Sequence, residues 1–303
     1  MPNQSSRKIM MVRPKNFGFD YTTAASNAFQ DESGANAVDE IIQNAIIEFD
    51  HAVAALNDKG VAVKVIQDTE SPKKPNAVFP NNWVSFHDDK VILYPMQAEN
   101  RRWERRADIL SELEADGLNL GEVVDISHYE QEDKFLESTG SMVLDYKNKR
   151  AYACLSTRTH EQVLEEFSEL TGFELVIFNA FDKNKVPVYH TNVLMCIGST
   201  YAVICLEAIP MAERESIQNK LRDTGHEIVP LTMDQMYAFA GNMLEVENSQ
   251  GQRILVMSDS AFNSLTELQK SKLNEHAEIL SVAIPTIEKY GGGSVRCMMC
   301  RLV

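Results

Sequence analysis

Cys297 stands in Gly291-Gly292-Gly293-Ser294-Val295-Arg296-Cys297-Met298, where three glycines run directly into an apolar, strand-like stretch. Such a stretch sets the thiol at a strand mouth, because glycines permit close approaches that a Cβ forbids. Polar residues recur at comparable mouths: Asn82, the run Glu137-Ser138-Thr139-Gly140-Ser141, His190-Thr191-Asn192 and Asn242. A thiol, an imidazole and a carboxylate therefore fall at three different mouths. Together they suit nucleophilic catalysis, in which a thiolate attacks, the histidine manages its proton and the leaving group's, and the carboxylate orients imidazole or substrate. Taken alone, the glycine run and its cysteine more readily describe a turn into a buried strand, with the thiol as a small core hydrophobe.

The elements that must gather these residues repeat along the chain. Asn82–Phe86 pairs in pattern with Val91–Tyr94, Ser141–Leu144 with Ala151–Cys154, Asn192–Cys196 with Tyr201–Cys205 and Asn242–Val246 with Ile254–Met257, each pair across a polar turn. Ser294–Met298 opens a fifth such unit. Amphipathic helical patterns lie between them at Val38–Leu56, Trp103–Leu113, Glu161–Leu170, Met211–Leu221 and Leu265–Ile279. Linking strands are read at Val61–Val65, Glu122–Asp125, Glu174–Ile177 and Glu227–Pro230. Units that each carry a hairpin, a helix and a further strand favour a closed ring, since an open stack needs capping repeats. In a ring the mouths converge on one centre. A mixed α/β sheet with chance resemblance between hairpins is the competing arrangement.

Composition narrows the function classes. Apolar residues make up 44% and charged residues 24% of the 303, as in a folded globular protein, and no apolar run would cross a bilayer. The N-terminal stretch lacks a signal-peptide pattern, so a cytoplasmic location is expected. Five cysteines, an odd number, then imply reduced thiols. A net charge of -15 opposes nucleic-acid binding and points to a small-molecule partner. Cys297 and Cys300 form a Cys-x-x-Cys, but no second Cys or His pair stands at ligand spacing, so no metal is expected. Cys154, Cys196 and Cys205 sit inside apolar runs and read as core. Phe17-Gly18-Phe19-Asp20 reads as a wall or lid of the pocket, and a homodimer is left open.

The motifs together resemble the guanidino-group-modifying, or amidinotransferase, superfamily of the five-bladed α/β propeller (pentein) fold, and within it the bacterial citrulline-utilisation hydrolases. The resemblance runs from Val12-Arg13-Pro14 to Cys297. It implies a single domain over residues 1–303, a five-fold pseudosymmetric α/β propeller with the site on its axis. It also implies Cys297 as nucleophile, in Gly-Gly-x-x-Cys-Met, and His190 as catalytic histidine. Glu137 becomes the carboxylate, at the head of a motif that reads Glu-Ser-Thr-Gly-Ser here. Arg158, in Ser156-Thr157-Arg158-Thr159, becomes a clamp on the substrate α-carboxylate, and no cofactor is implied.

Two departures bear on the substrate. Where arginine deiminases carry aspartates that grip the guanidinium, this sequence has Asn82 and Asn192. A buried guanidinium without a counter-charge would cost several kcal/mol, whereas a neutral ureido group would not. An asparagine can both donate to a urea oxygen and accept from a urea N–H. The expectation is therefore a Cys/His/Glu hydrolase taking citrulline to ornithine, ammonia and carbon dioxide through an S-carbamoyl intermediate. The alternatives are an amidinotransferase or guanidino hydrolase acting on arginine or a related guanidine, and a non-catalytic binding protein on the same fold.

Overall fold

The structure is a computed structural model that describes residues 3–24 and 26–303. Its strands form five three-stranded sheets. One joins β1 (Lys8–Arg13) to β2 (Ala62–Gln67) in parallel. The next combines β3 (Val84–Phe86), β4 (Lys90–Leu93) and β5 (Glu122–Asp125), the first pair antiparallel and the second parallel. That plan repeats in β6 (Met142–Asp145), β7 (Arg150–Cys154) and β8 (Glu174–Phe178). It repeats again in β9 (Met195–Ile197), β10 (Tyr201–Ile204) and β11 (Glu227–Pro230). The fourth copy is β12 (Leu244–Glu247), β13 (Arg253–Ser258) and β14 (Glu278–Val282). Finally β15 (Cys300–Leu302) pairs antiparallel to β1 and completes the first sheet, so residues far apart in the chain form one blade.

The inner strands touch around the ring, β15 against β3, β6 against β9 and β9 against β12, and Ser6 bridges to Val246. This is the five-fold pseudosymmetric propeller expected from the repeats. Helices cover the blades through single apolar stripes. In Val38–Asp58 the buried residues Ile41, Ala45, Phe49, Ala52 and Leu56 fall at helical spacing and face the sheet of β1 and β2, while the opposite face carries charge. No described helix is long and apolar enough to cross a membrane.

Several segments differ from the sequence reading, among them Asn192–Leu194, read as strand and folded as part of the helical turn Thr191–Leu194. The helix expected over Leu265–Ile279 ends at His276, and Glu278–Val282 is strand β14, held in parallel register with β13. Thr266 and Gln269 form a capping box that sets where that helix starts. The helix expected from Trp103 begins at Ala107; Glu99–Glu104 is a 3-10 turn whose Arg101 is drawn inward onto Glu104. Ser294–Met298 is not a strand but a turn, closed by Cys297 N–H to Ser294 O at 2.9 Å and Met298 N–H to Val295 O at 3.1 Å.

That turn has counterparts at the other blades. Pro80–Asn82, Ser138–Ser141 and Thr191–Leu194 are each a single helical turn leading into the inner strand. At the fourth blade Asn242 N–H closes a turn onto Phe239 O at 2.8 Å. Gly241 makes this blade fit: a Cβ there would lie 2.3 Å from the Val193 carbonyl oxygen, which is backbone and cannot yield. Gly241→Ala should therefore cost about 3 kcal/mol by overpacking. Gly225→Ala, at φ +82 but facing open space, should cost only about 1 kcal/mol of backbone strain. Urea denaturation of the two variants checks the order, and an equal or reversed loss would contradict the close approach.

Candidate active site

The turns at the blade mouths deliver their polar side chains to one pocket with about 280 Å³ of empty space, its open mouth included, lined among others by Asn82, Arg158, His190 and Cys297. Glu137, fully buried, heads the turn Ser138–Ser141. One of its oxygens, Oε2, lies 2.8 Å from His190 Nε2, 3.4 Å from Arg158 Nη1 and 3.7 Å from Arg101 Nη1. The other accepts from Gln97 N–H at 3.1 Å. Burial by itself would raise the Glu137 carboxyl, but Arg158, His190 and Arg101 outweigh it and hold the group well below the usual carboxylate range. Burial pushes His190 the other way from its ordinary value, down to about 4, against the pull of Glu137. An ionised Glu137 next to a neutral imidazole puts the proton on Nε2 and leaves Nδ1 as the base.

The backbone is shaped for this contact. Ser138 takes a left-handed φ of 42 while wholly buried, a conformation held by its Oγ–H donating to Val84 O at 3.0 Å. Gly140 leaves room for the imidazole, since a Cβ there would come within 2.8 Å of His190 Nδ1 and 2.5 Å of Asn82 Nδ2.

Cys297 is 3% exposed, with its Sγ between two amides. Asn242 Nδ2 lies 3.3 Å away and Asn192 Nδ2 3.5 Å away. Donors at these positions stabilise a thiolate and the charge that develops beside it. Asn242 is itself fixed, donating to Asn192 O at 2.9 Å and accepting from Arg296 N–H at 3.1 Å. The sequence marks Asn242 only by its position at a mouth. Asn192 Oδ1 is buried without a partner, an open acceptor beside the thiol.

Two residues stand differently from a simple reading of their motifs. Asn82 reaches the pocket, but its Oδ1 is taken by Arg101 Nη1 at 2.8 Å, and Arg101 in turn grips Glu104 through both arms of its fork, at 2.9 and 2.8 Å. Arg158 lines the pocket, yet it already donates to Thr23 O at 3.2 Å and Ser26 Oγ at 2.7 Å besides facing Glu137. Its guanidinium lies over the Tyr189 ring at 5.1 Å. A substrate carboxylate reaching Arg158 has to share the fork with these groups.

Thr23, in the helical turn Tyr21–Ala24, and Ser26 belong to the segment after Phe17–Asp20 that covers the site, with Thr23 and Asn27 in the pocket wall. Asn27 donates to Gly292 O at 3.2 Å and Gln30 to Tyr290 O at 3.0 Å, while Asn76 and Asn100 hold Asp20 at 2.6 and 3.0 Å. His160 stays outside, its Nδ1 capping the helix Glu161–Thr171. Arg102 faces Glu130.

Residues 13–303 match the sequence profile of a family described as eukaryotic N,N dimethylarginine dimethylhydrolase. The chain belongs to that family. Its fold is shared with the N-terminal domain of ArgZ, an arginine dihydrolase from the ornithine-ammonia cycle in cyanobacteria, at TM-score 0.75 and 15% identity over 97% of both chains. AgrE superposes at TM-score 0.76 and 15% identity, over 98% of this chain but 39% of that longer one. A dimethylarginine dimethylaminohydrolase variant in an adduct with S-methyl-L-thiocitrulline superposes at TM-score 0.66 and 15% identity, over 98% of this chain and 100% of that one. No curated protein sequence matches. The family and the shared architecture put the chain in the pentein superfamily of guanidino-modifying hydrolases.

Two measurements follow from the site. Burial pushes the thiols of Cys154, Cys196 and Cys300 up to about 12 and raises that of Cys205, which leaves them inert to alkylation. Iodoacetamide should then modify Cys297 first, and Cys297→Ala should abolish that fast phase; fast labelling that survives the substitution would deny Cys297 its special place. The second concerns pH. His190 binds its proton less readily folded than unfolded, so its contribution to stability is present above about pH 6.5 and is lost as pH falls toward 4. Between pH 7 and 5 this loss is about 2 kcal/mol. His190→Gln should flatten the dependence of the urea midpoint on pH, and an unchanged slope would mean that His190 titrates normally.

Proposed function

We propose that this protein is a cysteine hydrolase that breaks a C–N bond at the trigonal carbon of an arginine-type amino acid bearing a guanidino or ureido group. The observation that carries the reading is the joint placement of Cys297 between two amide donors and of the His190–Glu137 pair in the same pocket. The Cys297 thiol passes its proton to His190 Nδ1 as Sγ attacks the carbon, and His190 hands that proton to the departing nitrogen as its bond to the carbon breaks. Water then attacks the thioester-like carbon, His190 takes its proton, and the thiolate leaves toward the Asn192 and Asn242 amides.

The guanidino reading has the wider support. Its family and neighbours carry names from arginine and dimethylarginine chemistry. The charge around the pocket agrees. Two buried arginines, Arg101 and Arg158, face three buried carboxylates, Asp20, Glu104 and Glu137, so the group has a formal excess of one negative charge that a cationic substrate would balance. Counting only Asn82 and Asn192 leaves these acids out.

A second reading, citrulline as substrate, rests on the amides themselves. Among the described residues no carboxylate hydrogen-bonds to Cys297, and Asn192 Oδ1 is free to accept from a urea or guanidine N–H alike. Arginine, N,N-dimethylarginine and citrulline should be incubated in parallel with the enzyme and with Cys297→Ala. Citrulline from either guanidine, lost in the variant, supports the guanidino reading; ornithine and ammonia from citrulline alone support the ureido one, and no turnover of any would overturn both. Asn192→Asp sharpens the choice. A carboxylate there should raise the ratio of guanidino to ureido kcat/KM by about tenfold or more if neutrality at this position selects the substrate. Asn82→Asp is a poorer probe, because Arg101 would neutralise the new charge.

A further inference from the structure

A second cavity lies on the propeller axis beyond the catalytic layer. The inner strands β6, β9 and β12 leave the site at Ser141, Asn192 and Asn242 and run away from it, and their further residues line the cavity, which encloses about 500 Å³ of empty space with its open mouth included. Two arginines reach it, Arg296 and Arg301. Neither pairs with a carboxylate among the described residues, although the chain carries 44 acidic side chains against 29 Lys and Arg. Each uses one nitrogen on a backbone carbonyl, Arg296 Nη1 on Met299 O at 2.9 Å and Arg301 Nη1 on Gln4 O at 3.1 Å. Arg301 Nε is buried with no partner, and its guanidinium is held 3.8 Å from the centre of the Tyr146 ring.

Buried cations are ordinarily paired, since desolvation is otherwise uncompensated. The lining also holds one carboxylate, Glu245, buried with Oε1 taken by Ser5 and Ser199 and Oε2 without a hydrogen bond, so the two pre-oriented forks leave a formal excess of one positive charge that an oxyanion would balance. The rest of the wall is mixed: Gln4, Ser6 and Tyr146 are polar, while Val143, Met195 and Ile197 offer a surface for a short hydrocarbon chain. We propose that this cavity is a second binding site, separate from the catalytic pocket, for a small aliphatic carboxylate whose head group bridges Arg296 and Arg301. The site does not depend on which substrate the catalytic pocket takes.

The test is calorimetric titration of pentanoate into the whole protein after alkylation of Cys297, which closes the catalytic pocket to the probe. Saturable binding of one pentanoate per chain is expected, weakened about tenfold or more in Arg301→Gln by loss of a charge-assisted bond. Arg296→Gln serves as the second variant should Arg301→Gln not fold. Absence of saturable binding, or affinity unchanged by the variant that folds, would overturn the proposal. Inorganic phosphate is the control for head-group chemistry: binding weaker than pentanoate supports the apolar side of the wall as part of the site, and equal or tighter binding overturns the assignment to an aliphatic carboxylate.

Discussion

A single buried carboxylate sets the conditions for the rest of the site. Glu137 has no access to water, and holding an ionised carboxylate there costs several kcal/mol unless other groups compensate. Arg158, Arg101, His190 and the Gln97 N–H supply that compensation from four separate segments. Each partner is thereby fixed. Arg101 turns inward and so interrupts the helix that its segment would otherwise form; Arg158 ties the covering segment to the core through Thr23 and Ser26; His190 is locked as a neutral ring with one nitrogen occupied. Removing Glu137 would take away the carboxylate that stands between the Arg158 and Arg101 guanidinium groups, so the network that orients the catalytic base is also one the fold needs.

The blades were legible because their signals are local. A hairpin declares itself through alternating apolar residues and a turn, and β5 and β11 fall where their β-branched runs lie. Strand β14 was hidden for the opposite reason. Ile279 falls in register with the apolar positions of the preceding helix, and only pairing with β13, set by residues twenty or so positions away, makes Glu278–Val282 extended. The turn at Ser294–Met298 was obscured likewise, since its apolar residues suit a strand and its turn bonds depend on blade closure.

The same division holds in the site. Residue types at the mouths named Cys297, His190, Glu137, Asn82 and Asn192, and the structure brings all five to one pocket or its wall. Their partners were not legible. That Asn82 faces Arg101, or that Asp20 and Glu104 contribute charge nearby, depends on contacts between elements that no spacing reports. A substrate argument from two asparagines alone is therefore incomplete, because a pocket responds to the sum of its charges rather than to the nearest pair.

Pseudosymmetry explains why such a small set of residues can be assembled from so much chain. Each blade ends its outer excursion with a turn at the axis and begins its inner strand there, so one or two side chains per blade are presented to a common volume. Changing such a residue alters the chemistry without disturbing the sheet behind it, whose stability rests on pairing and on helices packed outside. The limit is steric. Gly241 already meets the backbone of the neighbouring turn and Gly140 the side chains of Asn82 and His190, so the axis admits new functional groups only by exchange of side chains already there. At the opposite end of the axis the far residues of the inner strands line a second cavity, with Arg296, Arg301 and Glu245 in its wall.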